Sequence, residues 1–155
     1  MAIHQGVHQE RSLARKRALQ LLYQSEVTNT SVKQILDETL YVEEVGLICD
    51  FTCLLLEGIN EHKDQIDKLI VQTSENWSLE RMPIVDRSIL RLATFEMLYA
   101  KNVPFSVSIN EAVELAKDFG GEDESSRFVN GVLGKIADYL AATIETESEK
   151  KDRDE

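Results

Sequence analysis

The sequence predicts an all-α fold, and three observations carry that expectation. Glycine and proline are sparse, with 7 and 2 in 155 residues. Apolar residues recur at three- and four-residue spacings, and no window shows the sustained alternation that a half-buried strand requires. The composition, 43% hydrophobic and 29% charged, is that of a globular chain able to bury a core without disulfides or metal.

The helices follow in order. The first is expected from about Glu10 to Glu26, with Ala14, Ala18, Leu21 and Leu22 on one stripe. Ser31 and Gln34 stand at capping-box spacing and open a second helix whose apolar face is Val32, Ile35, Leu36 and Leu40. From Glu43 to about Thr73, the residues Ile48, Phe51, Leu55, Ile59, His62, Ile66 and Leu69 recur at gaps of 3, 4, 4, 3, 4 and 3. That pattern reads as one long helix, bent at Gly58. Pro83 fits the first turn of the next helix, where its missing N–H costs nothing. This helix turns Val85, Ile89, Leu92, Ala93 and Met97 inward and stops before Pro104. Ser108 and Glu111 form a second capping box ahead of Ile109, Ala112, Val113, Ala116 and Phe119, and Gly120-Gly121 closes that helix. The last helix is expected from near Ser125, burying Phe128, Val129, Val132, Leu133, Ile136 and Leu140.

Residues 1–9 read as a flexible basic and polar N-terminus, and 145–155 as a charged, mobile tail. Between them lies a single helical domain over 10–144. Its N-terminal half ends at about residue 71 and its C-terminal half begins at about 79.

Charge divides the chain unevenly. The net charge is −11. Arg11, Arg15, Lys16 and Arg17 oppose only Glu10 in the first 25 residues, a local +3 that leaves −14 on the rest. A basic helix start on an acidic body suits two kinds of partner, one polyanionic and one basic. The competing reading is a solvated helix face.

Catalytic and metal chemistry find little support. Cys49 and Cys53 have no basic neighbour in sequence and read as small core residues. His4 and His8 lie in the N-terminus, and His62 falls in register with an apolar stripe. No glycine-rich phosphate loop, HExxH or acid/base carboxylate pair is present, so the sequence points to a binding protein that needs no cofactor. No stretch resembles a membrane span or a signal peptide, and a cytoplasmic location is expected.

The residues suited to binding are few. Arg11 and Arg15 are i, i+4 neighbours, flanked by Lys16 and Arg17, able to neutralise successive phosphates. Arg127 and Phe128 place a cation beside an aromatic in the first turns of a helix. That arrangement can stack an unpaired base, although a core role for Phe128 is the equal alternative.

These segments resemble the NusB family of bacterial transcription antitermination factors. The likeness is carried by RSLARKRALQLLYQ from Arg11, by Trp77 and then IVDRSILRLATFEML from Ile84, by VPFSVSINEAVELAKDFG from Val103, and by RFVNGVLGKI from Arg127. It runs colinearly from about residue 11 to 140. The resemblance implies about seven helices in two packed three-helix-type subdomains and no catalytic activity. It also implies binding of boxA RNA in ribosomal RNA transcripts together with NusE, a small-subunit ribosomal protein, within an RNA polymerase antitermination complex. Carried over by position, Arg11, Arg15, Lys16, Arg17, Gln20, Arg127 and Phe128 are the expected RNA contacts, and Tyr23, Glu80 and Asp86 the expected NusE-facing residues. The family often has Glu at Asp86. A rival expectation is the RNA-recognition module of an RNA cytosine methyltransferase, which would need a further cofactor-binding α/β domain.

Overall fold

A computed structural model describes residues 2–121 and 123–154, with the side chains of 2–8 and of residue 44 outside that description. Among the described residues there are seven α-helices and no strand. They are α1 (Ala2–Thr28), α2 (Val32–Asp37), α3 (Asp50–Glu61), α4 (Lys63–Thr73), α5 (Ile84–Tyr99), α6 (Phe105–Phe119) and α7 (Asp123–Arg153). Single 3₁₀ turns occupy Glu43–Val45 and Leu79–Arg81.

Helix α5 is the wall that the others share. It packs against α1, α3, α4, α6 and α7, and ten of its residues are buried. Leu19 and Leu21 of α1, Leu55 of α3, Ile66 and Ile70 of α4 and Leu133 and Ile136 of α7 close on Ile89, Leu90 and Leu92 in one continuous core. Burying a side chain of this size is worth roughly 1.5–3 kcal/mol, so the core is ample for a chain of this length.

Several element bounds differ from expectation. The backbone is helical from Ala2, eight residues before Glu10, because nothing in that stretch except Gly6 opposes helix. The side chains of His4 and His8 lie outside the described residues. At its other end α1 stops where Asn29 takes a left-handed φ of 53°. Ser31 caps α2 by accepting from the Gln34 N–H at 3.1 Å. The Gln34 side chain donates onward to Glu38 instead of returning to Ser31, so only half of the capping box forms.

In place of the single helix expected over 43–73 there are a 3₁₀ turn at Glu43–Val45, a non-helical stretch to residue 49, and then the two helices α3 and α4. The break falls at His62, with φ −110° and ψ 19°, and not at Gly58. Gly58 lies inside α3 because of a close approach: a Cβ there would stand 2.1 Å from the Phe95 ring. The His62 ring stacks on Tyr99 with centroids 4.2 Å apart, and its Nδ1 is 3.1 Å from the Tyr99 hydroxyl. The apolar stripe continues across the break, since Leu55, Ile59, Ile66 and Leu69 are all buried.

The capping box at Ser108 is also overturned. Pro104 caps α6, so the helix begins a turn earlier at Phe105 and Ser108 is buried within it. The Glu111 carboxylate instead accepts from the Ser12 hydroxyl of α1 at 2.8 Å. Cys49 is exposed at the N-cap of α3 and Cys53 is half-buried, so neither is the core residue expected. Helix α7 continues to Arg153 with its residues 145–153 exposed.

Candidate nucleic-acid interface

The basic start of α1 is divided among three helices. A helix turns 100° per residue, so Arg11 and Arg15 share one face while Lys16 points well away from both. Arg11 is exposed, with its guanidinium 5.2 Å from the Phe51 ring centroid of α3. Lys16 is exposed on the other side, its ammonium 5.5 Å from the Phe119 ring at the end of α6. Both cations keep a free outer face while resting on an aromatic.

Arg15 is a correction to the sequence reading. It is 2% exposed, and its Nε and Nη2 donate to the two carboxylate oxygens of Glu96 at 2.9 and 2.7 Å. Glu111 approaches the same guanidinium at 3.9 Å. Glu96 lies in the core of α5, and a buried carboxylate requires a partner of opposite charge. Arg15 meets that requirement and does not face solvent.

Arg17 is half-buried beside the 3₁₀ turn. Its Nη1 donates to the Leu47 carbonyl, and its guanidinium lies against Gly46, whose φ of 75° suits glycine. Gln20 is half-buried one turn beyond Lys16. Lys16 and Gln20 thus lie on the outer face of α1, while Arg17 is committed to the loop beside it.

The second element lies at the start of α7. Phe119 closes α6, and the loop through Gly120 and Gly121 leads directly to Asp123 and then Arg127. Lys16 therefore stands next to the loop that precedes Arg127. Arg127 is exposed. Phe128 is half-buried: it packs against the core and meets Trp77 edge-on, with centroids 5.6 Å apart and planes at 76°. Glu111, Glu114 and Asp118 of α6 line a hollow shared with Lys16, so the cationic ground is narrow.

The three expected partner-facing residues separate. Tyr23 is 44% exposed, and Glu80 is exposed in the Leu79–Arg81 turn. Arg87 holds their two elements together. It donates to Glu26, one turn beyond Tyr23, and to the carbonyls of Leu79 and Met82 at 3.4 and 3.1 Å. Burial works against ionisation of Glu26, but the hydrogen bonds from Arg87 and Arg91 outweigh it and hold the carboxyl below its ordinary range.

Asp86 is not on that surface. It is 4% exposed in the first turn of α5, where burial pushes its carboxyl pKa up and a hydrogen bond from the Ser125 side chain offsets part of the rise. Its carboxyl lies beside Ser125 of α7, and its Oδ1 is buried without a hydrogen-bond partner. Pairs such as Arg15–Glu96 and Asp86–Ser125 join residues distant in sequence, and no local spacing announces them.

Among the described residues no group of His, Cys, Asp and Glu could hold a metal, and no helix is long and apolar enough to cross a membrane. The model of the NusB family matches residues 12–138. The transcription antitermination protein NusB of Pseudothermotoga lettingae is 44% identical over 131 residues, covering 84% of this chain and 93% of that protein. The protein of the same name from Bacillus subtilis is 45% identical over 127 residues, with 82% and 94% covered. Among solved structures, T. maritima NusB aligns with a TM-score of 0.70 at 39% identity, covering 83% of this chain and 90% of that one. With the helical order, the divided basic helix and these matches taken together, the chain belongs to the NusB family.

Proposed function

We infer that the protein is a non-catalytic transcription antitermination factor that binds boxA RNA jointly with NusE and so helps RNA polymerase read through terminators. The observation that carries this reading is identity of 44–45% with antitermination proteins along most of the chain. Exposed cations at the points where the family resemblance places RNA contacts support it. Arg11, Lys16 and Arg127 are the phosphate-facing set, with Gln20 beside them. Arg15 acts from beneath by fixing α1 to α5, and Arg17 by fixing the 43–47 turn. NusE binding is assigned to Tyr23 and Glu80.

Charge explains why two partners would act together. A protein of net charge −11 with only a narrow cationic face attracts RNA weakly at long range, whereas a basic ribosomal protein is drawn to its acidic body. A gel shift with single-stranded boxA RNA, with and without NusE, tests the reading. Weak binding alone and much tighter binding with NusE is the expected result. Equal affinity for boxA and an unrelated single strand, with no gain from NusE, overturns it.

A further inference from the structure

Trp77 is the one tryptophan of the chain and is 49% exposed. Its exposure is imposed by a braced turn. Glu75 and Asn76 both take left-handed φ, 60° and 64°, and so reverse the chain after α4. The Trp77 N–H donates to the Ser74 carbonyl at 3.2 Å, while the Ser74 hydroxyl donates back to the Trp77 carbonyl at 3.3 Å. Glu75 also pairs with Lys135 of α7 at 3.2 Å. The backbone at Trp77 is thus fixed, while about half of the residue's surface faces water.

Phe128 backs the indole edge-on. That contact settles the two alternatives for Phe128 differently from either taken alone. Phe128 packs against the core, and the aromatic turned toward solvent is its neighbour. Arg81 lines the same open hollow as Trp77, and Arg127 directly precedes Phe128. Both arginines are exposed, and among the described residues neither makes an ion pair, although Glu80 also borders the hollow.

We propose that Trp77, and not Phe128, is the plate on which an unpaired RNA base stacks, with Phe128 as its backing and Arg81 and Arg127 available to the adjoining phosphates. This proposal rests on the RNA-binding reading above and names a contact within it. A fixed aromatic face costs little ordering on binding, and stacking tolerates any base because every base offers a π-face. A duplex, whose bases are stacked on each other, has no free face to offer.

The lone tryptophan reports on its own surroundings. The full chain, alone and with NusE, is titrated with single-stranded boxA RNA and with the same RNA as a duplex, following indole fluorescence. Labelled-RNA anisotropy is measured in parallel for wild type, Trp77→Phe and Trp77→Ala. Expected is quenching by the single strand in step with anisotropy, none by the duplex, and affinity weakened about 5- to 150-fold in Trp77→Ala, with Trp77→Phe between. RNA binding without quenching, and at equal affinity in Trp77→Phe, overturns the stacking assignment while leaving the RNA reading intact. Unchanged RNA affinity with lost NusE affinity overturns it in favour of a protein contact. Absence of RNA binding by wild type with NusE overturns both. Should Trp77→Ala fail to fold, the quench and the Trp77→Phe affinity decide the matter.

Discussion

Arg15 and Glu96, 81 residues apart, form a two-pronged ion pair in the core, with hydrogen bonds of 2.9 and 2.7 Å between α1 and α5. Removing one partner strands the other charge in a low-dielectric interior, at a cost of about 3–5 kcal/mol. Arg15→Ala is therefore expected to lower the denaturation midpoint strongly. Arg15→Met combined with Glu96→Leu is expected to recover most of the loss, since a packed apolar pair can replace a buried ion pair. Denaturant melts of both variants are the check, and a mild effect of Arg15→Ala would return this residue to the surface set.

Arg11 and Lys16 make the opposite expectation. Their contacts with Phe51 and Phe119 are exposed cation–π contacts, worth about 0.5–1 kcal/mol each at most. Replacing both by Ala is expected to leave the melting temperature nearly unchanged. The salt dependence of boxA binding should flatten by up to about 0.7 per lost phosphate contact on a single strand. An unchanged salt slope would remove these residues from the interface.

Asp86 carries a pH signature. Burial raises its carboxyl pKa, with the Ser125 hydrogen bond as a partial offset. The folded state therefore holds this proton to higher pH than the unfolded chain does. The associated stability is present below the unfolded value and is lost as pH rises through the raised one. Asp86→Asn keeps an acceptor for Ser125 without the charge, so its stability should gain on wild type as pH rises above the ordinary aspartate value of about 4. Unfolding free energies measured across that rise would contradict this if the difference stayed flat.

Tyr23 and Glu80 divide the work at the protein-partner surface. An exposed aromatic anchor commonly costs about 2 kcal/mol or more on truncation, and a rim charge chiefly alters the association rate. Tyr23→Ala is expected to speed dissociation of NusE, and Glu80→Lys to slow its association and reverse the salt sensitivity. Stopped-flow and surface-binding kinetics separate the two, and NusE rates equal to wild type in both variants would relocate the interface.

The helical order was legible because a period of three and four residues survives in Ile59, Ile66 and Leu69 however the backbone is joined. For the same reason the break at His62 was not legible: its ring takes a partner, Tyr99, from another helix while the stripe runs on. Local charge spacing brought Arg11, Lys16 and Arg127 to notice, and the structure places all three in solvent. It misplaced Arg15, whose partner Glu96 reaches it only through the packing of α5, and the family likeness set on the partner-facing surface an Asp86 that is buried. In the sequence Trp77 is only one of the residues that carry the family likeness, with no role attached. Its significance rests on contact with Phe128, a relation of tertiary structure.

The division of the chain near residues 71–79 does not divide its energetics. Helix α5 follows that boundary, yet Arg91 donates to Glu26 of α1 at 2.6 Å and to Asp67 of α4 at 2.8 Å, and the Phe95 ring fills the space over Gly58 of α3. The helices of the N-terminal half have no closed core without this helix, which belongs to the other half. Unfolding is therefore expected to be a single cooperative transition, and circular dichroism and Trp77 fluorescence changing at different midpoints would contradict this. In native-state hydrogen exchange, the central amides of α1, α4 and α7 are expected to share one opening free energy with those of α5, and the exposed last turns of α7 to exchange far earlier.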